Sequence, residues 1–278
     1  MLQRNIFILI ALSAMSAWAQ DSWLNHPAAG IPRTKDGKVN LAAPAPRTAD
    51  GKPDLTGVWQ SDGSSPEDAA KLQPNGNALG EEGVPSKYFL NILADFKPGE
   101  EPVRPEAAAL MPHGIAASGK ASPLTNCLPA GLPLLETYST PHKILQSPGL
   151  VAILYETDTT FRQIFTDGRK PPEDALPTWS GYSTGKWDGD TLVVDVTGFN
   201  DRGWLDARGH THSEALHITE RVHRLDFGHL EVDITVNDPK TYTKPFTIKL
   251  MQRLRPETDL IEFVCAENEK DAAHMLGK

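Results

Sequence analysis

The chain lacks the signatures of the common catalytic machineries. It has no Gly-x-Ser-x-Gly elbow, no Ser-x-x-Lys, no His-Glu-x-x-His, no phosphate-cradling glycine loop and no dinucleotide fingerprint. Asp188-Gly189-Asp190 lacks the further ligands and closing glutamate of a calcium loop, and a hairpin turn accounts for it. Basic charge is also short: Lys and Arg number 27 against 36 Asp and Glu, a formal charge of −9. That balance argues against nucleic acid and against anionic membranes, which both need a basic patch. There is no hydrophobic run long enough to cross a bilayer, so membrane insertion is not expected.

What is present begins with an address. Arg4 supplies a positive n-region, Ile6 to Met15 an apolar core, and Ala17-Trp18-Ala19 a small-x-small cleavage site. Residues 1–19 therefore read as a signal peptide, and the expected location is periplasmic or secreted. Only two cysteines occur, Cys127 and Cys265. In an oxidising compartment a lone pair reads as one disulfide; a catalytic thiol has no histidine near it in sequence to support it.

Residues 20–53 form a Pro- and Gly-rich arm. Pro32-Arg33-Thr34-Lys35-Asp36-Gly37-Lys38-Val39-Asn40-Leu41 returns as Pro46-Arg47-Thr48-Ala49-Asp50-Gly51-Lys52-Pro53-Asp54-Leu55. Two copies are too few for a solenoid, so the repeat predicts two similar Asp-Gly turns lying over the main body. Residues 54–278 read as one domain with a partly helical insertion at about 64–120. In it, Ser86 caps a helix over 85–96, and Pro105 opens a second, shorter one.

Beyond Pro148 the period changes to two. Strands are expected at Leu150–Tyr155, Thr160–Thr166, Ser183–Trp187, Thr191–Val196, Leu216–Arg224, Leu230–Val236, Phe246–Leu254 and Leu260–Cys265. Asp54–Trp59 makes a ninth. Short connections predict an all-β, antiparallel meander that curls into a barrel and so removes its sticky edges.

Gly57-x-Trp59 at the head of the first strand resembles the opening of lipocalin-type (calycin) barrels, where the tryptophan closes the base. A second resemblance covers most of the chain after the leader. It is carried by Cys127-Leu128-Pro129-x-Gly131-x-Pro133, Phe161-Arg162-Gln163-Ile164-Phe165-Thr166-Asp167-Gly168-Arg169 and Gly181-Tyr182-Ser183-x-Gly185-x-Trp187-x-Gly189-Asp190-Thr191-Leu192-Val193-Val194. His212-Ser213-Glu214-x-Leu216-His217-x-Thr219-Glu220-Arg221 and Asp238-Pro239-x-x-Tyr242-Thr243-x-Pro245 extend it. These segments resemble a family of secreted bacterial proteins of unknown function, which implies a secreted protein and no particular activity.

Five of the nine histidines fall between His210 and His229. In the strand over 216–224, Glu220 shares a face with Leu216, Ile218 and Val222. A carboxylate there serves either to grip a ligand cation or hydroxyl, to act as acid or base, or simply to pair with a buried arginine such as Arg162 or Arg169. Three functions stay open. One is a small-molecule-binding barrel for a small, partly apolar molecule, with Glu220, Arg162 and Tyr182 as polar anchors and Trp179 and Trp204 at the rim. Another is a hydrolase or lyase using His212, Glu214, His217 and Glu220, with a transition metal such as zinc on His210, His212 and His217 as a variant. The last is an envelope structural or assembly protein working through the arm. No cofactor is otherwise expected, and the protein partners are not legible.

Overall fold

The computed structural model describes residues 29–65, 67, 86–112 and 122–265; the leader over 1–19 lies outside them. Nine strands make one closed barrel in sequence order: β1 (Gly57–Ser61), β2 (His142–Ser147), β3 (Leu150–Tyr155), β4 (Phe161–Phe165), β5 (Tyr182–Asp188), β6 (Thr191–Thr197), β7 (His217–Arg224), β8 (His229–Asn237) and β9 (Phe246–Leu254). β1 closes it by pairing with β2 on one side and β9 on the other. The fold is all-β, as the alternation predicts.

Three details correct the sequence reading. The meander is not antiparallel throughout, because β4 and β5 run parallel, with Ile164 opposite Ser183 and Phe165 opposite Thr184. A closed ring of an odd number of strands cannot alternate direction all the way round, so one pair must be parallel. Residues 166–181 return the chain along the wall to make it so. Leu260–Cys265 is not a strand, since β1 already occupies the far edge of β9. Its place in the count is taken by His142–Ser147, whose Pro148-Gly149 turn into β3 has Gly149 at φ +79°.

Strand alternation divides the wall into two faces. Leu230, Val232, Ile234 and Val236 of β8 point inward, as do Phe246, Ile248 and Leu250 of β9, and all are buried. One end of the barrel is closed by Trp59, which is wholly buried and donates from Nε1 to the Leu55 carbonyl at 2.9 Å. The Arg224 guanidinium lies 4.9 Å from its ring and donates to the carbonyls of Asp226 (3.0 Å), Asp54 and Phe227. Burial pushes Arg224 down to about 10, so it stays a cation at neutral pH.

The arm runs over this same end, and its two repeats fold alike. In each, the Thr amide bonds the Lys carbonyl four residues on (Thr34 to Lys38 at 2.8 Å, Thr48 to Lys52 at 2.9 Å). Gly37 and Gly51 take φ near +80° at the turn, and the repeat's arginine reaches back to that glycine's carbonyl. Each arginine also grips a carboxylate of the barrel domain, Arg33 on Glu257 and Arg47 on Asp190. Leu41 and Ala43 take the amides of Gly228 and Phe227 from the β7–β8 turn, both at 2.7 Å.

At the opposite end, helices α1 (Lys87–Leu90), α2 (Pro105–Ala108) and α3 (Leu134–Thr137) sit in the connecting loops. Ser86 caps α1 and Pro105 starts α2, as expected. However, α1 stops at Asn91 instead of continuing to residue 96. Asn91 is extended, and the next amide, Ile92 N–H, leaves the helix to donate to Asp206 at 2.7 Å.

Cys127 and Cys265 are joined, with Cα atoms 5.5 Å apart and a sequence separation of 138. A loop of that length removes about 5 kcal/mol of unfolded-state entropy, and native relaxation usually returns part of it. Replacing both cysteines by serine should lower the unfolding free energy in urea by about 3–5 kcal/mol while leaving the far-ultraviolet spectrum of the barrel intact. An unchanged urea midpoint would show that the bridge does not constrain the chain.

Candidate functional site

The lumen is mostly apolar, with Arg224 at the Trp59 end and one cluster of charged and polar side chains deeper in. β7 turns Ile218, Glu220 and Val222 inward and leaves His217, Thr219, Arg221 and His223 outside. Glu220 is thus a carboxylate among aliphatic neighbours, with Val194 and Ile234 beside it on the adjoining strands. β4 turns Arg162 and Ile164 inward. Arg162 meets Glu220 with two parallel bonds, Nη1 to Oε1 at 3.0 Å and Nη2 to Oε2 at 2.9 Å, and its Nε donates to Ser183 Oγ at 3.0 Å. This is the fork-to-carboxylate geometry that only arginine offers. Arg169, the other arginine considered for this role, is exposed and pairs with Asp167.

α3 brings a second carboxylate from above. All four of its residues are buried, and Ser61 Oγ on β1 holds the helix by donating to the Glu136 carbonyl oxygen at 2.6 Å. Glu136 Oε1 accepts from the Tyr155 hydroxyl and from Arg162 Nη1 at 3.4 Å, while Oε2 accepts from Gln252 Nε2 at 3.3 Å. His142 stands opposite Tyr155 on β2, ring centres 5.6 Å apart. Every buried side-chain nitrogen and oxygen of the cluster has a partner.

Two carboxylates face one guanidinium. Burial alone would weaken Arg162's hold on its proton, but Glu220 foremost, then Tyr155 and Glu136, reverse this and keep it charged. Burial raises Glu220 above its ordinary value, against the pull of Arg162 and with Glu136 adding to the rise. Burial, then the nearby Glu136 charge, pushes the Tyr155 phenol well up, so it remains a donor. Burial pushes the His142 imidazole down, toward its neutral form. The cluster can therefore hold an internal proton and offers a mixed face of cation, anion, phenol and imidazole.

The sequence pointed to Glu220 and Arg162 and missed Glu136, Tyr155, His142 and Gln252. Gln252 was detectable as the one polar residue in the inward row Phe246, Ile248, Leu250, Gln252, Leu254. Glu136 was not, because it comes from a single helical turn with no period to read.

The other expected groups lie elsewhere. Tyr182 is one residue from inward-facing Ser183, so alternation sends it outside, where it stacks on Phe165 at 5.3 Å. Trp179 carries Arg202 5.0 Å from its ring, and Trp204 is half-buried in the β6–β7 loop, bridged to Thr211. His210 Nδ1 bonds the buried Asp206, itself fixed by the amides of Ile92, Arg208, Gly209 and His210. His212 is buried against Phe199 and bonds the Ser213 carbonyl at 3.2 Å. Glu214 is exposed, and His217 reaches Asp195 on the outer wall at 3.2 Å. The proposed set His212, Glu214, His217 and Glu220 is thus dispersed, since an odd separation puts residues 217 and 220 on opposite faces. Among the described residues no three His, Cys, Asp or Glu side chains gather as metal ligands, so His210, His212 and His217 do not form the zinc site considered.

Because Glu220 binds its proton more tightly folded than unfolded, its contribution to stability is fully present below its ordinary value of 4.5. That contribution is lost as pH rises through the higher folded value. His142 works in the opposite sense, costing stability as pH falls below 6.5, so the informative quantity is a difference. The stability of wild type relative to Glu220→Gln should fall as pH rises from 4.5, measured by urea unfolding; a flat difference would refute a raised Glu220. Arg162→Leu strands two buried carboxylates and should cost about 3–5 kcal/mol at neutral pH.

Comparison with family models, with curated proteins and with solved structures finds no match for this chain, so the chemistry of the site is read from its own geometry.

Proposed function

We propose that this is a secreted small-molecule-binding barrel of lipocalin-like type, which holds a small, partly apolar molecule through the lumen cluster. One observation carries the reading: an Arg162–Glu220–Glu136 charge cluster with Tyr155 and His142 sits in a mostly apolar barrel interior. Buried ion pairs rarely improve on aliphatic packing, and departures from local design rules concentrate at functional sites. The excess of carboxylate over guanidinium suits a ligand that presents a cation or hydroxyl to the cluster and an apolar body to the aliphatic wall.

The Trp59 base with Arg224 across it supports the lipocalin-like assignment, and the leader sequence and the joined cysteines support secretion. The dispersal of His212, Glu214 and His217 leaves the hydrolase or lyase alternative without a converged site. The arm grips its own barrel through Arg33 and Arg47, which gives it a place in the fold without any partner.

Native mass spectrometry of the protein recovered from its own periplasm or medium tests this. The expected result is a stoichiometric organic adduct that Glu220→Gln loses while keeping a native circular dichroism spectrum. A bare wild-type mass, together with no thermal shift from a panel of amphiphilic amines and alcohols, would overturn the proposal.

A further inference from the structure

The outer wall is not uniform. β7, β8 and β9 turn His217, Thr219, Arg221, Glu231, Asp233 and Lys249 to solvent, as a water-facing sheet should. β2, β3 and β4 do not. Their outward rows pair Lys143 with Leu154 and Leu154 with Phe161, Leu145 with Ala152, and Leu150 with Phe165, interrupted by Gln163 beside Ala152 and Ser147 beside Leu150. The C-terminal stretch crosses the end of the same three strands: Asp259 meets Lys143 at 3.5 Å, Ile261 N–H approaches Glu156, and the Phe263 carbonyl accepts from Thr159 at 3.1 Å. It adds Ile261, Phe263 and Val264 to the apolar surface, all exposed.

We propose that this face is a dimer interface, covered in solution by the same face of a second copy. The area fits. Exposure runs from 37% at Leu154 to 67% at Phe161. Together the side chains leave on the order of 600 Å² of apolar surface, near the apolar share of the about 800 Å² that each partner gives a standard interface. The closed barrel offers no free strand edge, so association by strand addition is closed off and a flat face-to-face packing of two three-stranded surfaces is left. Such a patch on one two-fold axis is self-complementary. Charge points the same way. The patch is apolar apart from Gln163 in its middle row, with Lys143, Glu156 and Asp259 around it, and the chain carries −9 overall, which disfavours an anionic lipid surface as the occupant.

Sedimentation velocity of the full secreted chain over nanomolar to high-micromolar concentrations tests this. The wild type should run as a dimer in the micromolar range. Phe161→Asp, an exposed position that the fold tolerates, should weaken dimerisation on the order of a hundredfold or more, since each interface contains the change twice. Leu154→Lys should do the same, and Thr219→Asp on the opposite wall should have no effect. A wild type that stays monomeric at high concentration would overturn the proposal. So would a chain ending at Cys265 that dimerises where the full chain does not, because residues 266–278 would then be the cover. Flotation of a monomer with neutral vesicles would assign the face to lipid and overturn it equally.

Discussion

The barrel closes through five residues. β1 spans only Gly57 to Ser61, and Trp59 alone has a backbone partner in register on both sides, His142 in β2 and Leu254 in β9. Without that junction the sheet would keep two open edges, which is the state barrels exist to avoid. The tryptophan that makes the junction also fills the end of the lumen and receives Arg224, whose three carbonyl acceptors belong to the chain entering β1 and to the β7–β8 turn. Backbone closure, end plug and turn anchoring thus converge on one side chain. The arm adds two arginine grips at the same end, each built from a copy of one ten-residue sequence.

At the other end, the interior gives up part of its apolar character. Arg162, Glu136 and Glu220 are charged groups out of water, a situation that costs several kcal/mol per ion unless geometry and hydrogen bonding offset it. Here they are offset by the parallel Arg162–Glu220 bonds, by Tyr155 and Gln252 on Glu136, and by Ser183 on the arginine's Nε. Removing any one member therefore penalises its neighbours, and the cluster behaves as a unit. Its members come from six strands and one helix, so it can form only after the wall has closed around it.

Alternation made most of this wall legible. Leu150–Tyr155 and Phe246–Leu254 have the ends the pattern assigns, and Glu220 faces inward because it lies two residues from Ile218 and Val222. β2 escaped because its inward row, His142, Ile144 and Gln146, is mostly polar: the first two are buried and Gln146 bonds the Leu55 amide. Leu260–Cys265 mimicked a strand, yet whether an apolar run pairs depends on a vacant edge, which no local pattern reports. The site was half legible for the same reason. Glu220, Arg162 and Gln252 sit on strands with a period, whereas Glu136 arrives on a four-residue helix placed by distant contacts. The spacing of the histidines also misled, since His210 bonds Asp206 four residues before it and does not converge with His212 and His217.

The odd strand count divides the wall unequally. β5 to β9 are joined by long antiparallel ladders, but β4 meets β5 across two register positions and β2 meets the short β1 across three. β2, β3 and β4 therefore form a leaf set between two narrow seams. His142, Tyr155 and Arg162 hang from the leaf, while Ser183, Glu220 and Gln252 belong to the rest of the wall. The buried ion pair is in effect a latch across the weaker seam, and any outward swing of the leaf has to break it first.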